Sequence, residues 1–259
     1  MKLAESILLR LSRPVGGGDY HNEAWKPDDP LNLLKRQIPQ FAERIRGAAV
    51  LDFGCYTGHQ SVALLDAGAS RVVGIDINET AIAAARDLAR ERQLQDRVRF
   101  VTTNAELADE QFDFVVSQNA MEHFDDPAAI LSTMTTALKP GGRILASFGP
   151  PWLAPYGSHM YFFCRLPWMH LLFSERTVMR VRSRFRDGDL KTYREAGLNR
   201  LTIGRFERLV ARQGLEVEYR KYDCVKNLTL IGRIPLVREL FINHVTCILR
   251  RPGGTEPQR

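Results

Sequence analysis

Two acidic residues and two glycines near the middle of the chain have the types and spacing of a nucleoside site. In the stretch VLDFGCYTG, Asp52 ends an apolar run, and Gly54 and Gly58 follow four residues apart, so the backbone can closely approach a ligand. Asp76 ends the next apolar run, 24 residues after Asp52. A carboxylate there can accept hydrogen bonds from both hydroxyls of a ribose, although capping of the next helix is the alternative.

The turn differs from two familiar phosphate-binding loops. A dinucleotide fingerprint G-x-G-x-x-G that starts at Gly54 needs glycine at positions 56 and 59, where the chain has Tyr56 and His59. No G-K-[ST] follows, so the pattern of a Walker loop is absent as well. NAD and FAD therefore fit poorly, and the bulky Tyr56 raises the question of whether it disables the turn.

Helix and strand patterns alternate around these residues. Residues 31–46 predict an amphipathic helix interrupted at Pro39, before the strand that ends at Asp52. The alternation continues through HQSVALLDAG (helix), RVVGIDI (strand), NETAIAAARDLARERQL (helix capped by Asn78), VRFVTTN and FDFVVSQN (strands), DPAAILSTMTTALKPGG (helix) and RILASF (strand). Apolar runs of this kind predict a parallel sheet covered on both faces.

The amino-acid composition of the chain changes after Phe148. Residues 149–173 contain seven aromatic residues and four prolines, which predict an inserted lid or loop. The helix TIGRFERLVARQG and the strands LEVEYRKYD and FINHVTCILRR then complete the sheet. We expect a single domain with a helical cap (1–46), a core (47–148), an insert or lid (149–200), a C-terminal helix and strands (201–251) and a disordered tail (252–259).

The positive charge is local. The chain has a formal net charge of +6, and residues 165–212 alone contain twelve Lys or Arg against five Asp or Glu. Such a segment is typical either of a solvated face or of a surface for phosphates, acidic substrates or anionic membranes. The four cysteines form no C-x-x-C pair, the histidines form no close ligand grouping, and no signal-peptide pattern is present. We expect a cytoplasmic protein without a metal site or transmembrane helix.

Five motifs occur in the order found in class I S-adenosylmethionine-dependent methyltransferases of the small-molecule type, which includes ubiquinone/menaquinone-biosynthesis-like enzymes. The chain resembles this family through VLDFGCYTG, VVGIDIN, VTTNAE, FDFVVSQNAMEHFDDP and LKPGGRIL. The resemblance is close over residues 45–148 and rests on element order elsewhere. It implies a Rossmann-like, doubly wound α/β fold with a seven-stranded sheet, mostly parallel with an antiparallel last strand, and helices on both faces.

The resemblance also implies roles for individual residues toward S-adenosylmethionine. Gly54 and Gly58 would lie against the methionine part, Asp52 would belong to its hydrogen-bond network, and Gln118 would border the methyl-transfer chamber. The nucleoside would be held by Asp76, Ile77, Asn104 and Ala105. Tyr56 stands where relatives usually have a glycine, and we expect its ring to point away from the turn, toward the methionine end or the segment DYHNEAW.

Methyl transfer from a sulfonium is an in-line displacement, so the protein mainly aligns the reactants and excludes water. A base is needed only for a poorly ionised hydroxyl, a protonated amine or a carbon acid. Glu122, His123 and His159 lie near the expected mouth of the site, and the two histidines are our candidate bases. Trp152, Tyr156 and Tyr161 of the insert are candidates for the acceptor site, with a satellite hydrophobic core as the alternative.

We therefore expect transfer of a methyl group to a small or medium-sized metabolite. An RNA or protein methyltransferase that uses the basic segment, and a non-catalytic cofactor-binding or scaffold protein, remain alternatives. The FGPPW stretch is similar to a base-holding motif of nucleic-acid enzymes but follows strand five instead of strand four, so nucleic acid is not the expected partner. The stretch LPWMHLLF beside the arginines is compatible with contact to a lipid surface. The sequence leaves the oligomeric state open.

Overall fold

Seven strands form one sheet in the computed structural model, which describes residues 3–13, 29–107, 109–225, 234 and 237–253. The strands are β1 (Ala49–Phe53), β2 (Arg71–Ile75), β3 (Val98–Val101), β4 (Phe112–Gln118), β5 (Leu138–Phe148), β6 (Glu216–Cys224) and β7 (Ile242–Arg250). Their order is β3-β2-β1-β4-β5-β7-β6. Strands β1 to β5 pair in parallel, and β7 is antiparallel to both β5 and β6. This confirms the predicted fold class.

Helices cover both faces of the sheet. They are α1 (Leu3–Leu11), α2 (Asn32–Gln37), α3 (Phe41–Ile45), α4 (His59–Asp66), α5 (Glu79–Glu91), α6 (Pro127–Thr136), α7 (Met169–Leu172), α8 (Glu175–Arg182), α9 (Ile203–Arg212) and α10 (Arg238–Phe241). Apolar residues of α6 and α9 share one core with the sheet, and those of α2 to α5 share a second core on the opposite face. Strand β1 is buried along its whole length, and all of its residues except Asp52 are apolar, as expected for a strand covered on both faces.

Local signals explain several helix boundaries. Pro39 lies in the break between α2 and α3, as the sequence predicts. Asn78 caps α5, because its side chain accepts the backbone N–H of Ala81 at 3.0 Å. The end of α6 differs from the prediction: the helix stops at Thr136, and residues 138–142 already belong to β5. The ladder shifts register there, since Phe112 pairs with Leu138 and Phe114 with Arg143, and the bulge accommodates Pro140 and its glycines.

The insert has a hydrophobic core of its own. Met160, Phe163 and Val178 are buried in it together with Leu8, which comes from α1 at the other end of the sequence. We call residues 3–13 and 149–200 the insert unit. No helix within the described part of the chain is both long and apolar enough to cross a bilayer. The segment DYHNEAW and the last six residues of the predicted tail lie outside the described residues.

Candidate functional site

The turn after β1 is fastened to the end of β2. The N–H groups of Gly54 and Cys55 both donate to the carbonyl oxygen of Ile75, at 2.8 and 3.1 Å. Tyr56 has a φ of 47°, between Gly54 at 83° and Gly58 at 78°. A left-handed backbone normally favours glycine, so a tyrosine at position 56 carries strain. The Tyr56 side chain is 44% exposed.

Asp76 connects this turn to α5. Its Oδ2 accepts the N–H of Tyr56 at 3.0 Å, and its Oδ1 accepts the N–H of Asn78 at 2.9 Å. Each carboxylate oxygen can accept a second hydrogen bond, so the group is held in place and retains capacity for two hydroxyls. The next side chain, Ile77, is 91% exposed. A held carboxylate beside an open apolar side chain has the chemistry of a site for a ribose and a flat base.

Asp52 lies beneath the turn and is fully buried. Its two oxygens accept hydrogen bonds from Gln60 Nε2 and Ser61 Oγ of α4, each at 2.6 Å. Burial raises the pKa of Asp52 to about 6, although the two hydrogen bonds act against this shift. In this arrangement Asp52 holds the start of α4 in place. The sequence did not indicate that Gln60 and Ser61 donate to Asp52.

The two glycines of the turn have different neighbours. A Cβ added at Gly58 would lie 2.7 Å from Phe100 Cζ and 2.8 Å from the Cβ of Ala85, so packing alone requires glycine there. A Cβ at Gly54 would lie 3.3 Å from the Cβ of Ala120, in the turn that follows β4. Gly54 therefore lies where the exits of β1 and β4 approach each other, which is where ligands bind in open α/β sheets.

Asn104 and Ala105 lie after β3 in a single 3-10 turn over residues Asn104–Leu107, and both are exposed. Glu106 organises this turn, because its Oε1 accepts the N–H groups of Thr102 and Thr103 at 2.9 and 3.0 Å. These bonds lower the pKa of Glu106. The structure thus presents both predicted adenine contacts to solvent at the carboxyl end of β3.

Gln118 at the end of β4 is half-buried and contacts the N-terminal cap. Its Nε2 donates to the carbonyl oxygen of Pro30 at 3.2 Å. Its Oε1 is buried without a hydrogen-bond partner among the described residues. A buried acceptor without a donor is costly unless a ligand supplies the donor, and an ammonium group would do so.

Glu122 joins the exits of β4 and β5. It is buried, and its Oε1 accepts the N–H of Gly149 at 2.9 Å. Its Oε2 has no partner within the described part of the chain. Burial raises the pKa of Glu122 to about 7, so this carboxyl exchanges its proton near neutral pH. The sequence named Glu122 as a site candidate but did not indicate its bond to the insert.

The two candidate bases, His123 and His159, contact each other. The rings of His123 and His159 lie edge to face with 5.4 Å between their centroids. His123 Nδ1 is 2.8 Å from the carbonyl oxygen of Gly197, and the desolvating protein surroundings lower the pKa of His123 below its ordinary value. A histidine with a lowered pKa is neutral at pH 7, which is the form a general base requires.

The three predicted acceptor residues separate into two groups. Trp152 packs edge-on against His170 and Tyr193 in the core of the insert unit, and Arg200 lies over its ring. Tyr156 and Tyr161 instead contact each other, with 5.0 Å between their ring centroids. Trp152 therefore has a packing role, and its contact with an acceptor stays a prediction, as it does for the two tyrosines.

The link between the 119–124 turn and the insert depends on a residue that the sequence analysis missed. Asn199 Nδ2 donates to the carbonyl oxygens of Met121 and Phe124, at 2.7 and 2.8 Å, and its N–H donates to that of Glu122. A lone Asn in a loop carries no signal for such contacts. Nowhere in the described ranges do three His, Cys, Asp or Glu residues group in a way that could hold a metal ion.

The middle of the chain matches a known family and curated proteins. Residues 51–146 match the family described as Methyltransferase domain. The Ubiquinone biosynthesis O-methyltransferase of Methylococcus capsulatus is 34% identical over 139 residues, which cover 50% of this chain and 58% of that relative. The chain thus spans less than two thirds of this curated relative.

Two solved structures share the fold. An S-adenosylmethionine dependent methyltransferase from Mesorhizobium loti is 20% identical, with a TM-score of 0.55 over 85% of this chain and 96% of that structure. The [4+2]-cyclase SpnF is 17% identical, with a TM-score of 0.55 over 82% of this chain and 79% of that structure. Because proteins named for different reactions share this fold, the architecture alone does not decide the reaction.

Proposed function

We propose that the protein is a class I S-adenosylmethionine-dependent methyltransferase that methylates a small or medium-sized metabolite, because residues 51–146 match the family described as Methyltransferase domain. The observation that carries the proposal is the Asp76 carboxylate, held by the N–H groups of Tyr56 and Asn78 beside the exposed Ile77. In doubly wound α/β folds an acidic residue at this position hydrogen-bonds the ribose of a bound nucleotide, which supports the same role for Asp76.

The residues present fit S-adenosylmethionine. Asp76 has remaining acceptor capacity for the ribose hydroxyls, and Ile77, Asn104 and Ala105 are exposed beside it for the adenine. Gln118 Oε1 is a buried acceptor that a ligand ammonium would satisfy. Gly54 lets the backbone come close to the cofactor, whereas the tightly packed Gly58 and the buried Asp52 stabilise the turn from the protein interior. S-Adenosylmethionine supplies an electrophilic methyl group and leaves as a neutral thioether.

The chain's own contribution is placement, exclusion of water and removal of a proton. Glu122 and Asn199 tie the turn after β4 to the insert, so that the two walls of the proposed chamber keep a fixed distance. His123 and His159 meet at this junction, and either would accept the proton of an acceptor hydroxyl. We infer O-methylation, which the name of the curated relative and this pair of bases support.

The basic segment gives less support to an RNA acceptor. Arg182 is buried, Arg186 lies 4.4 Å above the Phe162 ring, and Arg200 binds Glu175 at 2.6 Å. These arginines stabilise the insert unit, so the segment is not a continuous row of free cations.

Calorimetry with S-adenosylhomocysteine tests the cofactor site. Asp76→Asn should weaken binding at least about tenfold, since each lost charge-assisted bond contributes about 1.5–3 kcal/mol. Asp96→Asn, an exposed acidic residue that follows α5, is the matched control and should bind like the unchanged protein. No binding by any of the three proteins would contradict the proposal and favour the scaffold alternative, whereas equal affinities in all three would contradict the role given to Asp76.

A labelled methyl group identifies the acceptor class. The protein is incubated with labelled S-adenosylmethionine and fractions of a cell extract, and label should move into low-molecular-weight material. Label that appears only in nuclease-sensitive or protein-bound material would show that the acceptor is RNA or protein and not a metabolite.

A further inference from the structure

Helix α1 is fastened to the insert unit along one face. Leu8 is fully buried there, and Glu5 pairs with Arg180 of α8 at 2.6 Å. The N–H of Arg13 donates to the carbonyl oxygen of Phe163 at 2.9 Å. The helix therefore has a fixed orientation on the molecule, and its opposite face points outward.

That outward face is apolar. Leu3, Ile7 and Leu11 follow each other at intervals of four residues and are 77%, 42% and 49% exposed. Residues spaced by four lie on one side of a helix, so the three side chains form a single stripe. The short helix α7 of the same unit also has exposed apolar side chains, Leu171 and Leu172.

The same unit holds the positive charge of the chain. Residues 3–13 and 149–200 contain eleven Arg or Lys and five Asp or Glu, whereas the other 196 positions contain 25 of each. Arg10 and Arg13 are exposed at the end of α1, and Arg176 is exposed on α8. Within the described ranges, none of these three pairs with a carboxylate.

We propose that the outward face of α1 binds the surface of an anionic lipid bilayer. The stripe would enter the boundary between headgroups and acyl chains, and the arginines beside it would lie among the lipid phosphates. An amphipathic helix with basic flanks binds in this way parallel to the membrane plane, without crossing it. This inference goes beyond the proposed reaction and does not depend on it.

Two other occupants fit less well. A stable interface with a second copy buries about 800 Å² on each partner, from roughly 20–30 residues, which is more than a stripe of three large side chains supplies. An RNA backbone needs cations and aromatic platforms, and the stripe consists of aliphatic side chains. The charge excess together with the aliphatic stripe matches anionic lipid.

Vesicle sedimentation tests the proposal with the full chain. The probes are vesicles of phosphatidylcholine alone and vesicles with equal parts of phosphatidylglycerol, at about 0.1 M and about 0.5 M salt. The unchanged protein should pellet with the anionic vesicles, and less so at high salt. Ile7→Gln/Leu11→Gln should lower the partition coefficient at least about tenfold, because two aliphatic side chains lose their apolar contact.

Two further variants separate the apolar and charged contributions. Arg10→Gln/Arg13→Gln should lower binding about fivefold per arginine and reduce its salt dependence. Val217→Gln is the matched control, because Val217 is 48% exposed on the edge strand β6, outside the insert unit, and this variant should bind vesicles unchanged. Melting temperatures and S-adenosylhomocysteine binding of all variants show that each is folded.

Several outcomes overturn the proposal. They are no pelleting by the unchanged protein, equal pelleting by the stripe variant, or binding that ignores both lipid charge and salt. Light scattering that shows a dimer which the stripe variant dissolves, without vesicle binding, would assign the face to a second copy instead. Because the readout contains no methyl transfer, its failure leaves the proposed function untouched, and a failure of cofactor binding leaves this inference untouched.

Discussion

The carboxylate of Glu122 accepts the backbone N–H of Gly149 at 2.9 Å, which joins the turn after β4 to the first residue of the insert. The group is buried, and its second oxygen lacks a partner among the described residues. A buried carboxylate that is half satisfied is more stable protonated than ionised. The junction between core and insert is therefore sensitive to pH.

Glu122→Gln should change how stability depends on pH. The pKa of Glu122 is raised from 4.5 to about 7 in the folded protein, so between these values the folded state holds a proton that the unfolded chain releases. The free energy of unfolding should fall as pH rises through this range, by up to about 3 kcal/mol. The variant keeps the acceptor for Gly149 and should lack this decrease. Urea unfolding at several pH values measures it, and parallel curves for the two proteins would refute the pKa shift.

Gly58→Ala should destabilise the protein by about 2–4 kcal/mol. Its Cβ would overlap Phe100 and Ala85, and its φ of 78° adds about 1 kcal/mol for the left-handed backbone. Gly47→Ala is the matched control, because Gly47 has a φ of 74° with nothing within 4 Å of an added Cβ, and it should cost only the backbone part. Denaturant unfolding of both variants gives the difference, and equal losses would exclude the packing argument.

Tyr56→Gly should leave stability within about 1 kcal/mol of the unchanged protein, because relief of the left-handed strain offsets the greater freedom of glycine in the unfolded chain. Tyr56→Val should be less stable by about 1–3 kcal/mol, since a β-branched residue tolerates this backbone poorly. Both keep the N–H that Asp76 accepts. Unfolding and S-adenosylhomocysteine calorimetry measure the effects; a large gain in affinity for Tyr56→Gly would show that the ring obstructs the site.

Substituting His123 and His159 one at a time should show which of them acts as the general base. With an acceptor in hand, loss of the base in His123→Gln or His159→Gln should lower kcat by about 10²–10⁴ and remove the acid limb of the pH profile. The lowered pKa of His123 places that limb below pH 6.5 if His123 is the base. If both variants keep the acid limb, neither histidine removes the proton.

The sequence predicted the core of the fold because its signals are local. Apolar runs that end in glycine or aspartate, the Asn78 cap and the Pro39 break each involve residues close in the chain, and the structure has the expected elements there. The spacing of Asp52 and Asp76 likewise indicated two neighbouring strand ends. The roles of these residues toward a ligand stay predictions.

The remaining contacts join residues that are distant in the sequence and that belong to no periodic pattern or motif. The bond between Glu122 and Gly149, and the clasp of Asn199 on the 119–124 turn, depend on how the insert docks. The β5 boundary was misjudged because a Pro-Gly-Gly stretch is typical of a helix stop and of a bulge alike. The outward stripe of α1 is visible only once its inner face is known to be occupied.

The pairing of α1 with α8 also has a consequence for the order of folding. Glu5 and Arg180 are separated by 175 positions. At about 5–20 residues per second, synthesis of α8 follows that of α1 by roughly 10 to 35 seconds, and during this interval Leu8 has no core to enter. Bringing α1 and α8 together closes a long loop at a cost in conformational entropy, and only the contacts of the finished insert unit offset this cost. Amide protons of α1 and α8 should therefore gain and lose protection together, as one cooperative segment apart from the sheet.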